Sequence, residues 1–348
     1  MSRSSLRGLA RRVAAVATRP SGIVLAGLAA ALGAQGVGAA RRAAVIDMAS
    51  LPNYAAQPVP AYVTKDLTPP GNPITDEGAT LGRVLFHDKR LSSDLTVSCS
   101  SCHQQAQAFG DGALASAGVN GTTGRHSMRL VNTRFGRSPQ MFWDERAPSV
   151  EAQSTQPIRD HAEMGFSGVD GAPDFDDLIA RMESTWFYPP LFEAAFGDSQ
   201  ITEARMQRAL AQFVRSSQSF DSRFHEGRAQ APNDGAPFAN FTAAENRGKQ
   251  LFLGPPVFDP QGSRIGGGAG CAGCHQPPEF DIAPNSLGNG VLGALGGGQD
   301  PTNTRSPTLR DMVGLDGVPH GPFMHNGAFT TPDQVVNRYN TIPAAAAQ

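Results

Sequence analysis

Two short stretches constrain this chain more than anything else in it. Residues 97–105, VSCSSCHQQ, and residues 270–278, GCAGCHQPP, each carry two cysteines two residues apart, followed at once by a histidine. Together they hold all four cysteines of the 348-residue chain. Two thiols one helical turn apart can form thioethers with the two vinyl groups of one porphyrin. The next histidine is then carried under the iron as its axial ligand, which is the attachment pattern of a c-type haem. Cys99, Cys102 and His103 are therefore expected to hold one covalent haem, and Cys271, Cys274 and His275 a second, with His103 and His275 as iron ligands. Three other uses of the cysteines compete. A four-cysteine zinc site leaves the histidine after each pair unexplained. A redox dithiol is expected at the start of a helix in an α/β setting, which the sequence does not offer. Disulfides closing two-residue loops are poor cross-links.

The pattern around each pair also repeats. ITDEGATLGRVLF (74–86) and FTAAENRGKQLF (241–252) both place a capping residue, Asp76 or Thr242, six positions before a glycine, then a basic residue and a Leu-Phe pair. Thr242 with Glu245 reads as a capping box. Beyond the cysteines, SMRLVN (127–132) matches SPTLRD (306–311), and PQMFWDERA (139–147) matches GPFMHNGAF (321–329), which sets Trp143 opposite His325. One unit has been duplicated, each copy with its own cysteine pair. Between the copies lie two helical stretches. One, 174–187, is expected to stop before Pro189-Pro190; the other, 201–220, puts Met206, Leu210, Phe213 and Val214 on one apolar face. No convincing strand pattern is present, so the fold class is mainly α, with two cytochrome c-like domains each carrying one covalent haem.

The expected organisation is a leader at 1–40, a Pro-rich linker or wrapping arm at 41–73, a first haem domain at 74–232 and a second at 233–348. The leader has arginines at 3, 7, 11, 12 and 19, then a Gly- and Ala-rich apolar run ending in small residues, as in a signal peptide. An uncleaved membrane anchor is the competing reading. Either places the protein outside the cytoplasm, in the periplasm. Loss of residues 1–40 removes five arginines and no acid, taking the net charge from −2 to −7. Such a chain has no basic character to suggest nucleic acid. With 39 glycines and 27 prolines, it also has trouble filling a core with its own side chains, a deficit that a large prosthetic group would help to fill.

From residue 74 to 342 the chain resembles the bacterial dihaem cytochrome c peroxidase and MauG family. The matches are LFHDKRLSSDLTVSCSSCH, FWDERAPSVEAQSTQPI, HAEMGF, FDSRF and SPTLRDM, in order and at family-like spacing. The resemblance implies that hydrogen peroxide reacts at the N-terminal haem, giving a ferryl species, while the C-terminal haem stores or relays an electron. It places Trp143 between the haems, and Gln153 and Glu163 in the peroxide pocket. A carboxylate there can take a proton from one peroxide oxygen and deliver it to the leaving one, while an amide positions the molecule. Electrons would come from a small soluble donor such as a cytochrome c or a cupredoxin, and a homodimer is compatible with the family.

The departures from the family sharpen this reading. A histidine that caps the resting first iron in the best-known peroxidases is replaced by Val119, and the duplicated position of the second iron's sixth ligand is Pro157 in the first half. Both leave the first iron open. His161, just before the pocket segment, is a candidate late-arriving ligand. At the second iron the candidate is Tyr339, where the peroxidases have methionine and MauG has tyrosine; Met324 is its rival. The family's calcium between the domains has two ligand positions on His126 and His320, poor donors to an ion that prefers oxygen, and backbone carbonyls such as that of Pro322 remain. Three functions are thus in view: a periplasmic dihaem peroxidase, a MauG-like oxidase of a protein or small molecule, and a non-catalytic dihaem electron carrier.

Overall fold

The computed structural model describes residues 46–282, 288 and 290–341; the expected leader lies outside them. Among the described residues the chain is mainly helical. In order it forms α1 (Asp76–His87), α2 (Cys99–Cys102), α3 (Val150–Ser154), α4 (Gln156–Arg159), α5 (Phe175–Glu183), α6 (Tyr188–Phe196), α7 (Glu203–Ser216), α8 (Arg223–Gln230) and α9 (Ala243–Leu253). Two short antiparallel ladders follow, β1 (Pro256–Phe258) with β2 (Arg264–Gly267) and β3 (His275–Gln276) with β4 (Asp281–Ile282), and then α10 (Pro332–Thr341). The strands escaped the sequence reading because two to four residues are too few to show a period of two.

The first half is built on the crossing of α1 and α7. Leu81, Leu85 and Phe86 of α1 are buried against Met206, Leu210, Phe213 and Val214 of α7, the stripe read from the sequence. Each such side chain contributes about 1.5–3 kcal/mol on burial. Close approach depends on two glycines. A Cβ on Gly82 would fall 2.0 Å from the Ala209 carbonyl oxygen, and one on Gly78 would fall 2.1 Å from Gln212 Oε1.

The cap of α1 differs from expectation. Thr75, not Asp76, is the N-cap, its hydroxyl accepting the Gly78 N–H at 3.0 Å. The Asp76 carboxylate accepts instead from the amides of Tyr54 and Ala55, at 2.7 and 2.9 Å, and so fastens the N-terminal arm. Further along, the Leu67 N–H donates to the Arg134 carbonyl and Asp66 pairs with Arg134 at 2.6 Å. The box of Thr242 and Glu245 opens α9 as read. Pro189 and Pro190 open α6 rather than merely following a helix, because a proline's missing N–H costs nothing in a first turn.

The duplication is visible in the backbone. Positive φ angles, uncommon outside glycine, recur in matched pairs: Phe109 and Phe280, Asn132 and Asp311, Phe142 and Met324. The bridge of Met141 with Ala147 has its counterpart in Phe323 with Phe329.

Candidate active site

One turn of helix, α2, ends at Cys102, and its last hydrogen bond runs from the His103 N–H to the Cys99 carbonyl at 2.9 Å. His103 leaves that turn with Nδ1 2.9 Å from the Phe109 carbonyl. A carbonyl only accepts, so the proton is on Nδ1 and the Nε2 lone pair is left for a metal. His275 repeats this, its Nδ1 donating to Phe280 O at 3.1 Å. Burial lowers the pKa of both, that of His275 to about 4, so both imidazoles are neutral and able to ligate. No disulfide joins the four cysteines. Burial pushes the Cys99 thiol up to about 12, unlike the thiolate of a redox dithiol. Among the described residues no group of three or more metal-binding side chains is gathered, so the two pairs do not make one zinc site.

A cavity of about 380 Å³ opens beside the first pair, within the roughly 300–1,000 Å³ usual for cofactor pockets. Cys99, Cys102 and His103 lie on its wall, and so do Trp143, Gln153 and Glu163. Gln153 comes from α3, whose N-cap Ser149 accepts the Ala152 N–H. Glu163 comes from a turn capped by the Asp160 carboxylate, which accepts the amides of Ala162 and Glu163 at 2.9 and 3.0 Å. Burial raises the Glu163 carboxyl to about 7, with Asp160 adding to the rise and Arg146 opposing it. A carboxyl poised there can both take and return a proton near neutral pH.

Of the other sequence candidates, only some line this cavity. Pro157 is on its wall. Val119 is packed against the hydrophobic core, and its amide donates to the Glu163 carbonyl at 2.9 Å. His161 is exposed and hydrogen-bonds Ser167 Oγ through Nδ1. Trp143 is buried, donates from Nε1 to the His126 carbonyl at 2.8 Å, and meets His325 edge to face. Tyr339 is on α10, where burial first, and then the charge of Cys274 and Cys271, raises its phenol to about 12.

Two arginines went unnoticed in the sequence. Arg146 is on the cavity wall, its guanidinium 3.5 Å from the Phe142 ring and 2.9 Å from Asp144. Arg125 joins the halves, pairing with Asp144 and with Asp300, each at 2.7 Å. A cation beside an acid in FWDERA was the available signal for Arg146; the partner of Arg125 is 175 residues away.

The model of the di-haem cytochrome c peroxidase family matches residues 76–231. The methylamine utilization protein MauG of Methylorubrum extorquens is 32% identical over 282 residues, covering 78% of this chain and 70% of that protein. This chain belongs to the dihaem cytochrome c peroxidase/MauG family. It is an oxidoreductase, as its relatives named for these activities are. The cytochrome-c peroxidase IdrP1 of Denitromonas iodatirespirans is 28% identical, covering 78% of this chain and 74% of that one. Among solved structures, a MauG-like protein associated with microbial copper homeostasis superposes with a TM-score of 0.58 at 26% identity, covering 81% of each chain. The helical architecture fits the family's two-cytochrome fold.

Membership implies two haems, and the residues fit them. The first cavity adjoins its cysteine pair, and each histidine keeps Nε2 free of its carbonyl bond. Arg129, Arg305 and Arg338 bury Nε atoms without an acceptor among the described residues, donors that haem carboxylates would satisfy. Calcium does not fit in the same way. His126 Nδ1 donates to the Ala113 carbonyl and His320 Nδ1 to that of Asp311, while the His320 carbonyl accepts from the Arg129 guanidinium at 3.1 Å. A protein cation is thus bonded to one of the expected calcium-ligand residues. Among the described residues, no helix is long and apolar enough to cross a membrane.

Proposed function

We propose that this protein is a periplasmic dihaem peroxidase that reduces hydrogen peroxide in the cavity of its first half, with electrons relayed through the second. The observation that carries this is the convergence of Cys99, Cys102, His103, Gln153, Glu163 and Trp143 on one cavity. Covalent c-type haems at residues 74–232 and 233–348, held by the cysteines and by His103 and His275, would supply the redox chemistry. The chain's own part is positional and protonic. The Phe109 carbonyl orients His103 and makes its imidazole a stronger donor. Gln153 orients the peroxide. Glu163 takes the proton from one peroxide oxygen and returns it to the departing one, which leaves as water. Trp143 offers a buried aromatic path toward the second half. A small soluble protein, a cytochrome c or a cupredoxin, returns the electrons. The test is rapid mixing of the ferric holoprotein with peroxide, comparing wild type with Glu163→Gln.

A second reading is a MauG-like oxidase of a protein or small molecule. Tyr339 favours it, since its phenol is buried within electrostatic reach of Cys274 and Cys271. As an iron ligand it would hold that haem at low potential, suited to sharing oxidation with the first haem rather than storing an electron. A non-catalytic carrier would need a sixth ligand on both irons, and neither Val119 nor Pro157 can be one.

A further inference from the structure

A polar pair between the N-terminal arm and α8, its tyrosine half-buried and its histidine buried, takes no part in the chemistry above. Tyr62, on the proline-rich arm, hydrogen-bonds through its hydroxyl to Nδ1 of His225 in α8. The two rings also stack, with centroids 5.8 Å apart and planes at 20°. Arg228 lies 4.8 Å from the centre of the tyrosine ring and is paired with Asp234. His225 is 4% exposed, and its Nε2 has no hydrogen-bond partner among the described residues. Burial raises the phenol to about 12, and burial followed by Arg310 lowers the imidazole to about 3, so Tyr62 donates and a neutral His225 accepts.

From this pair a line of packed rings leads toward His275, which would hold the second haem. His225 meets Phe224 at 5.9 Å, Phe224 meets Phe280 at 4.8 Å, and the Phe280 carbonyl accepts the Nδ1 proton of His275 at 3.1 Å. Arg310 lies 5.1 Å from both phenylalanine rings, with Glu279 3.7 Å away to offset its charge. Pinning the arm does not require this pair. Asp66 with Arg134, Gln218 with the Pro58 carbonyl, and Asp76 with the Tyr54 amide already do so.

We propose that Tyr62 is a one-electron redox site with His225 as its built-in proton acceptor, joining the second haem to the protein surface. An electron leaves the phenol for the oxidised second haem, the O–H bond breaks, and the proton passes to His225 Nδ1. The products are a neutral phenoxyl radical, an imidazolium and a haem reduced by one electron. One electron from an outside donor, with return of the proton, restores Tyr62. The oxidant is peroxide acting at the haems, so the inference rests on the proposed function. Tyrosine suits the place because its oxidation is eased when the phenol proton has somewhere to go, and the geometry provides that acceptor.

The experiment is freeze-quench electron paramagnetic resonance of the holoprotein after mixing with hydrogen peroxide, with the haem optical spectrum followed in parallel. Wild type should give a tyrosyl radical that is lost in Tyr62→Phe and diminished in His225→Gln, and the oxidised haem bands should persist longer in both variants. Thermal unfolding of each variant separates this from a merely structural role, which would move the melting temperature and leave the radical. If the haem bands respond to peroxide but no tyrosyl radical forms, or it survives Tyr62→Phe, the inference is overturned while the peroxidase reading stands. If the haems do not respond to peroxide, that reading fails instead. A photogenerated ruthenium(III) polypyridyl oxidant then tests Tyr62 directly: a radical lost in Tyr62→Phe supports the site, and any other result overturns it.

Discussion

The indole of Trp143 and the imidazole of His325 meet edge to face, ring centroids 6.1 Å apart and planes at 67°. These are the two residues that the internal duplication makes equivalent. Each lends its carbonyl to the other half: Trp143 O accepts the amides of Thr304 and Arg305 at 3.0 Å, and His325 O accepts that of His126 at 2.7 Å. The halves therefore exchange main-chain hydrogen bonds around an aromatic contact through which an electron could cross. Trp143→Phe keeps a ring but loses the Nε1 bond to His126. It should delay the optical response of the second haem to peroxide relative to the first, in stopped-flow traces recorded at both haem bands. Unchanged timing would take Trp143 out of the path.

Glu163→Gln should slow the peroxide step by about 10²–10⁴-fold, the range for loss of a positioned acid–base group. The wild-type rate should fall as pH drops through about 7, because the carboxyl protonates there and can no longer accept the peroxide proton. That limb should vanish in the glutamine variant. Gln153 substitutions should cost less, since water can partly replace a neutral amide. A wild-type rate in Glu163→Gln would show that the proton goes elsewhere.

Arg146 opposes the upward shift of the Glu163 carboxyl. Arg146→Gln should therefore raise that pKa further and move the acidic limb of the rate profile to higher pH. A profile that stays in place would mean that the guanidinium is screened from Glu163.

Stability should depend on the ion pair behind the cavity wall. Arg215 of α7 is 3% exposed and grips Glu151 of α3 with bonds of 2.6 and 2.7 Å, and Asn72 adds a third. Burial alone would raise the Glu151 carboxyl, but these bonds hold it at about 2, below its ordinary 4.5. Its contribution is therefore present above pH 4.5 and lost as pH falls toward 2. Glu151→Gln leaves a buried guanidinium without its counterion and should cost about 3–5 kcal/mol in denaturant unfolding at neutral pH. A cost below about 1 kcal/mol would put the pair with ordinary surface bridges.

Tyr339→Phe decides between the two enzyme readings. If the phenol ligates the second iron, the variant should change that haem's spin state and raise its potential, while the first haem's spectrum persists. An unchanged second haem would move Met324, or another group, ahead as ligand.

Much of this molecule was legible because its signals are local or repeated. The cysteine pairs announce themselves by spacing, the box of Thr242 and Glu245 by a three-residue interval, and the α7 stripe by helical period. The duplication, read from scattered matches, reappears as paired backbone angles at Phe142 and Met324. Contacts between distant segments were not legible. Arg125 reaches Asp300 across 175 residues and Tyr62 reaches His225 across 163, and no period or interval relates such partners. Thr75 and Asp76 illustrate a finer limit. Either could cap a helix, and the choice turned on two arm amides that claim the carboxylate. The convergence of Gln153, Glu163 and Trp143 came to the sequence reading through resemblance; the spacing of the three says nothing of a shared cavity.

The most direct test of an open, peroxide-reactive first haem is one electron paramagnetic resonance spectrum of the fully oxidised resting holoprotein. With Val119 packed against the core and Pro157 on the cavity wall, the first iron should give a high-spin ferric signal and the second a low-spin one. Two low-spin signals and no high-spin component would contradict the open site.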